Sequence, residues 1–168
     1  CIITIDAIGT QTKIAKAIVD NGADYLLSVK ENQGHLFEEI SCLFEYDQQN
    51  NFKDAAYDYA KTTNKGHGRI EIRECWSISD PEHLQSLKGV SKRKGLRSIA
   101  MVTSTRITDK RTTVKNRYYI SSLPSKAKHL LNVARRHWSI ENELHWVLDV
   151  ALREDRSRIR KDNDPEKL

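Results

Sequence analysis

Apolar residues recur along this chain with two different periods, and the switches between them mark its elements. Cys1-Ile-Ile-Thr-Ile is a short apolar block closed by Asp6, and Ala23-Asp-Tyr-Leu-Leu-Ser-Val-Lys30 is a second block of strand length. Between them Ile14, Ala17 and Ile18 repeat at helical spacing within Lys13 to Asp20, which predicts an amphipathic helix. Thr10 or Thr12 is the candidate cap, and Asn21-Gly22 the left-handed stop. Strand, helix and strand on short links predict a βαβ unit with a parallel pair and a right-handed crossover. The second strand is apolar enough to be covered on both faces. Leu36, Phe37, Ile40, Leu43 and Phe44 then mark a further helix.

From about residue 50 to 122 the period falls to two. Tyr57 to Thr63, Arg69 to Ile78, Ile99 to Arg106 and Arg117 to Ser122 favour strands, separated by Gly66-His-Gly68, a short helix from Pro81 to Leu87 and two basic turns. Alternation sends Arg69, Glu71 and Arg73 to one face and Ile70 and Ile72 to the other. A sheet with a charged outer face is the expectation.

The helical period returns from about Lys126 to Asp155, followed by a polar tail. Along this helix Ala127, Leu130, Leu131, Ala134, His137, Trp138, Leu144, His145 and Leu148 share a stripe, and Glu141 falls in its middle. An unpaired charge there costs several kcal/mol or is forced neutral, so a metal ion or a basic partner has to compensate it. Glu143 points to the opposite side and needs no such compensation.

The 168 residues fit one domain with a sizeable core. It divides into a βαβ portion (1–49), a β-rich insertion (50–122), a long helix (123–156) and a polar tail (157–168). No apolar run reaches the ~18 residues that a membrane span needs, and the opening strand lacks the layout of a signal peptide. Lacking an initial Met, the chain is expected to have an upstream portion. Cys1, Cys42 and Cys75 are an odd, scattered set without a Cys-x-x-Cys pair, which disfavours a disulfide framework or structural zinc and favours a reducing cytoplasm. The net charge of +5 admits a polyanionic partner. Its cations cluster at Lys88 to Arg97, Arg106 to Arg117, Arg135-Arg136 and Arg153 to Lys161. Nothing here has the pattern of a base-reading helix-turn-helix or zinc finger.

Asp6 closes a parallel strand, the end at which open α/β sheets place their ligands; the plain alternative is that it only starts the following turn. Together with Glu141 it forms a pair of carboxylates suited to Mg²⁺ or Mn²⁺. Two such ions about 4 Å apart stabilise the attacking and leaving oxygens of phosphoryl transfer. His137, Glu141 and His145 offer a rival zinc or iron reading, but that array extends over nearly two and a half turns. The plain reading is that both histidines are partly buried and hydrogen-bonded, and that Trp138 and Trp146 are core or stacking residues.

Four stretches carry a specific resemblance. Ile5-Asp-Ala-Ile-Gly-Thr-Gln11, Tyr25-Leu-Leu-Ser-Val-Lys-Glu-Asn-Gln33, Gly66-His-Gly-Arg-Ile-Glu-Ile-Arg73 and His137-Trp-Ser-Ile-Glu-Asn-Glu-Leu-His-Trp-Val-Leu-Asp-Val150 with Arg153-Glu-Asp155 resemble the H-repeat-associated insertion-sequence transposases. The match runs in order over nearly the whole chain. The resemblance implies the Asp-Asp-Glu superfamily: an α/β, truncated RNase-H-like core (βαβ plus a C-terminal catalytic helix) with an inserted antiparallel β-rich region. It also implies Mg²⁺-dependent cutting of element ends and joining of the freed 3′-hydroxyl to a target. Asp6 takes the place of the second aspartate and Glu141 that of the glutamate. The first aspartate belongs to a strand upstream of Cys1. In the Tyr, Arg, Glu, Lys signature of related transposases, this chain has Ala134 at the tyrosine, His137 at the arginine and Leu148 at the lysine.

The expectation is therefore a transposase fragment with Asp6 and Glu141 as catalytic and metal-binding residues and Mg²⁺ or Mn²⁺ as cofactor. Lys30, Asn32, Arg69, Arg135 and Arg136 are DNA-binding candidates, and the partner is double-stranded DNA at element ends and target. A homodimer is the candidate assembly of the intact protein, with no membrane partner and a cytoplasmic location. With two carboxylates of three, the chain alone is expected to be inactive. The alternatives are a non-catalytic DNA-binding or interaction remnant, and a nuclease whose site Glu31, Asp149 or Asp155 completes.

Overall fold

A computed structural model of the chain describes residues 1–53, 55–66, 68–87 and 93–146, with the side chains of Ile8 and of residues 140–146 outside the described set. The opening apolar block forms strand β1 (Ile2–Ile5), and Asp24–Val29 forms β2. They pair in parallel, Ile2 opposite Asp24 and Ile5 opposite Leu27, as a βαβ unit requires. Helix α1 (Thr12–Asp20) connects them and ends on the Asn21-Gly22 signal. Gly22 adopts φ +71°. The Ala23 amide donates to Ile18 O (3.1 Å) and the Gly22 amide to Val19 O (3.0 Å), the bond pair of a Schellman stop. The start of α1 departs from the threonine-cap expectation. Gln11 stands at the cap without a side-chain capping bond, while the Thr10 hydroxyl donates to Ser28 O in β2 at 2.5 Å. A buried acceptor in the neighbouring strand satisfies Thr10 and ties α1 to the sheet.

Helix α2 (Gly34–Gln49) carries Leu36, Ile40 and Phe44 on its buried side. Four long strands follow: β3 (Tyr57–Gly66), β4 (Arg69–Ile78), β5 (Ser98–Thr108) and β6 (Thr112–Ser121), with the short helix α3 (Pro81–Ser86) between β4 and β5. They pair antiparallel in sequence order, and β6 returns to pair antiparallel with β2. One mixed six-stranded sheet results, ordered β1-β2-β6-β5-β4-β3. Helix α4 (Ala127–Trp146) follows; its start belongs to a compact unit of residues 1–134, and from Arg135 it belongs to a second unit. The expected continuation of this helix to Asp155, and the polar tail, lie outside the described residues.

Within the first unit both faces of the sheet are covered. On one, Tyr25, Leu27, Val29, Ile78, Ile99, Met101, Tyr118 and Ile120 pack with Ala15 of α1 and with Leu36, Ile40 and Phe44 of α2. On the other, Leu26, Cys75, Ala100, Val102 and Tyr119 meet Ala127, Leu130, Leu131 and Ala134 of α4. Strand β2 is buried from Tyr25 to Val29, as its two-sided apolar run predicts. Burying each large side chain contributes about 1.5–3 kcal/mol. The start of α4 is held by polar contacts as well. Asp58 Oδ2 of β3 accepts from the Ala127 amide (2.7 Å), and the Ser125 hydroxyl donates to Ser77 O of β4 (2.9 Å).

Beyond Val29 opposite Tyr118, the sheet has no β1 or β2 and continues as four strands only. Burial falls off at that level, so the outer halves of β3 to β6 form an arm with partly exposed faces.

All three cysteines are reduced: Cys1 and Cys42 are exposed, Cys75 is buried. Burial, with the charge of Asp58 adding to it, pushes the Cys75 thiol up to about 12. In a thiol-reagent titration at pH 8 we expect Cys1 and Cys42 to react at once and Cys75 only after unfolding. Ile120, fully buried between β2 and β5, carries the sheet's central packing. Ile120→Ala is expected to lower the unfolding free energy by about 2–5 kcal/mol in urea titrations.

Candidate active site

Parallel pairing of β1 and β2 places their C-terminal ends side by side. Asp6 directly follows β1 and Lys30 directly follows β2, and each begins a 3-10 turn, Ala7–Gly9 and Glu31–Gln33. The Lys30 ammonium donates to Asp6 Oδ2 at 2.8 Å. The Gln33 amide donates to Ala7 O at 2.6 Å and pins the second turn onto the first. Gly9 makes the first turn possible, since a Cβ there would lie 2.2 Å from Ile5 Cγ2. The sequence places Asp6 at a strand end; only the strand pairing brings Lys30 to it.

The Asp6 side chain is 38% exposed and that of Lys30 48%. An ion pair at such exposure is worth about 0–1 kcal/mol, so it holds a cation at the carboxylate without locking it there. Among the described residues no three His, Cys, Asp or Glu side chains gather at this point. Glu31 lies in the adjacent turn and is exposed, as is Asn32. Glu141 lies within α4, in the second unit, and its side chain is outside the described residues. The same holds for His145, while Asp149 and Asp155 lie outside the described backbone. Arg135 and Arg136 follow Ala134 in α4. His137 and Trp138 touch edge to face, ring centroids 6.2 Å apart.

The basic clusters separate into different roles. In the described part of the first, the Arg93 guanidinium is half-buried and donates to Thr10 O (3.3 Å), and Lys94 pairs with Asp20. Lys94 O accepts from the Tyr25 hydroxyl (3.2 Å). These contacts fasten the 93–97 segment to α1 and β2. Lys88 and Lys92 lie outside the described residues.

Arg69 sits far from Asp6 along the sheet, at the outer end of the arm, with Nε 3.1 Å from Glu71 Oε1. Arg73 reaches Glu71 Oε2 at 2.5 Å from the other side, as the alternation of β4 predicts. Burial works to raise the Glu71 carboxyl, and the Arg73 hydrogen bond with the charges of Arg73, Arg69 and Arg106 outweighs it, so the carboxyl sits below its ordinary value. Its ion pairing is present above that value and is lost as pH falls through the lowered one. Arg106 stands opposite Glu71 in register, and Lys115 opposite Ser104, which is itself opposite Arg73. Joining these to Arg69 takes hairpin register, which the spacing of the clusters along the chain does not reveal.

The family described as "Transposase DDE domain" matches residues 1–167. "Putative transposase YncI" of Escherichia coli O157:H7 is 40% identical over 98% of this chain and 42% of its own length. "Putative protein YbfL" and "H repeat-associated putative transposase YhhI", both of Escherichia coli strain K12, are each 37% identical over 98% of this chain and 43% of their own. The chain thus spans about two fifths of the length of these relatives. No solved structure matches it.

Gly9→Ala forces the Ala7–Gly9 turn away from Ile5. The expected cost is about 1–3 kcal/mol in urea unfolding, whereas Gly22→Ala, at a site with open space, carries only the strain of its φ of +71°.

Proposed function

The chain belongs to the transposase DDE domain family, and from that premise we propose that it is part of the catalytic domain of a transposase that cuts and joins DNA at insertion-sequence ends, with Asp6 and Glu141 as metal-holding carboxylates. The observation that carries this reading is the position of Asp6. Its carboxylate stands at the C-terminal end of a parallel strand, half-exposed, and already faces a cation, the Lys30 ammonium. A half-exposed carboxylate is a hard oxygen donor that fits Mg²⁺ or Mn²⁺. In the RNase-H-like reading, β1, α1 and β2 are part of the core, the four antiparallel strands belong to the insertion, and α4 is the helix of the glutamate.

A bound divalent ion supplies charge stabilisation to phosphoryl transfer. The chain's own groups do the positioning. Asp6 is held by the Gly9 turn, by the Gln33 bridge and by the pairing of β1 with β2. Lys30 neutralises Asp6 while no divalent ion competes. Once displaced it is a mobile cation one strand away, suited to a DNA phosphate, as are Asn32 beside it and Arg135 and Arg136 on α4. The chain on its own supplies two carboxylates of the resembled triad and is expected to bind metal without turnover. The cytoplasm, and a homodimer of the intact protein, belong to this reading too.

Mn²⁺ titration followed by calorimetry tests it. Asp6→Asn should abolish binding and Glu141→Gln weaken it. Lys30→Met should tighten binding about two- to fivefold, the worth of an exposed ion pair. Unchanged binding in Asp6→Asn refutes the assignment. Robust Mg²⁺-dependent cutting of element-end DNA by this chain, lost in Asp6→Ala, would show that it supplies a complete site.

A further inference from the structure

The arm formed by the outer halves of β3 to β6 has two chemically different faces. Strand register decides which side chains share each one. Ile70, Ile72, Ile107 and Val114 continue the face that packs on α1 and α2. The opposite face continues the one on which α4 begins, and it carries Arg69 and Arg73 of β4, Arg106 of β5 and Lys115 and Arg117 of β6. Glu71 is the one carboxylate among them. Thr62, Asn64, Ser104, Thr108 and Thr113 are further polar residues of this face.

We propose that this basic face of the arm is a sequence-independent docking surface for the sugar-phosphate backbone of duplex DNA. The inference rests on the reading of DNA as partner but not on Asp6, Glu141 or any metal.

Geometry and charge support it together. Same-face neighbours stand about 6.7 Å apart along a strand and about 4.8 Å apart across strands. Arg69, Arg106, Lys115 and Arg117 therefore run obliquely from the outer end of β4 to the middle of β6, about 22 Å in all. A duplex carries one phosphate charge per ~1.7 Å of axis with both strands counted, so a segment as long as the stripe carries about 13, of which the near side faces the protein. Arg106 and Lys115 are exposed. Arg69 and Arg73 grip Glu71 from both sides, which holds two guanidinium groups in fixed positions while cancelling one of their charges. Ser104, Thr113 and Asn64 between the cations are phosphate and sugar donors. Among the described residues, no helix of the first unit other than α4 reaches this face of the core. A four-stranded face is broader than the helix or two-stranded ribbon that a major groove admits, so base readout is not its task.

The test is fluorescence anisotropy with a 30-base-pair duplex of arbitrary sequence, in EDTA, over a series of NaCl concentrations. The unaltered chain should bind with log affinity falling linearly against log salt. Arg106→Gln and Lys115→Gln should each weaken binding about threefold or more, and each should reduce the slope by about 0.9 for the lost phosphate contact. Glu71→Gln should bind more tightly with a steeper slope, since it releases Arg69 and Arg73; a merely structural role for Glu71 predicts the reverse. Lys13→Glu, on the exposed side of α1, changes net charge without touching the arm and should leave affinity within twofold. Circular dichroism checks the fold of every variant. The proposal fails if Lys13→Glu weakens binding as much as Arg106→Gln, if Glu71→Gln weakens it, or if single-stranded RNA is bound in preference to duplex DNA. Because no divalent ion is present, loss of the metal assignment at Asp6 would leave this result standing, and the reverse also holds.

Discussion

The antiparallel pairing of β2 with β6 is the contact on which the described structure depends. β2 is apolar on both faces and needs a strand on each edge. On one side β1 fills that place through a local crossover. On the other the partner comes from almost a hundred residues away, with Leu26 opposite Ser121 and Val29 opposite Tyr118. Polar bonds make this seam specific. The Ser121 hydroxyl donates to Tyr25 O (2.7 Å), the Tyr25 amide donates to Ser122 Oγ (2.8 Å), and Ser122 donates to Asp24 Oδ1 (2.8 Å). A one-residue slip would send each inward side chain to the wrong face and orphan these groups. Closing so long a loop carries an entropic cost that only the two-sided core repays.

The seam also decides what lies beyond it. β6 delivers the chain directly to Leu123, whose carbonyl accepts from the Ser98 hydroxyl at 2.7 Å. From there α4 starts over the face opposite α1 and α2, with its first amide capped by Asp58 from β3. A carboxylate at a helix N-terminus complements the dipole as well as the unsatisfied amide. The seam therefore joins the βαβ unit to the strand that leads into the start of α4. Because β2 pairs with β6 only as far as Tyr118, the sheet continues beyond that level as the outer halves of β3 to β6 alone, and so creates the arm.

Much of this was legible from local pattern. The Asn21-Gly22 stop, the two-sided burial of β2, the Leu36, Ile40, Phe44 stripe and the charged alternation of Arg69 to Arg73 follow from short-range sterics and periodicity, and each is present. Thr10 shows where local reasoning stops. As a capping residue type beside a helix start it has an attractive local role, yet a buried carbonyl of Ser28 takes its hydroxyl. A partner eighteen residues away competes with one three residues away, and nothing in the composition of the segment states which wins. The basic clusters divide in the same manner: Arg93 and Lys94 serve packing, whereas Arg106 and Lys115 are exposed.

The sequence by itself determined the described strands and helices, the two faces of the strands and the strand-end position of Asp6, because periodicity and turn chemistry act over a few residues. The resemblance of its four motifs identified the family for the same reason: each motif is contiguous. Tertiary structure alone decided that Lys30 meets Asp6, that β6 closes on β2, and that Arg69, Arg73, Arg106, Lys115 and Arg117 share one face. Those are matters of register between strands far apart in the chain, settled by the joint burial of a core that no single segment contains.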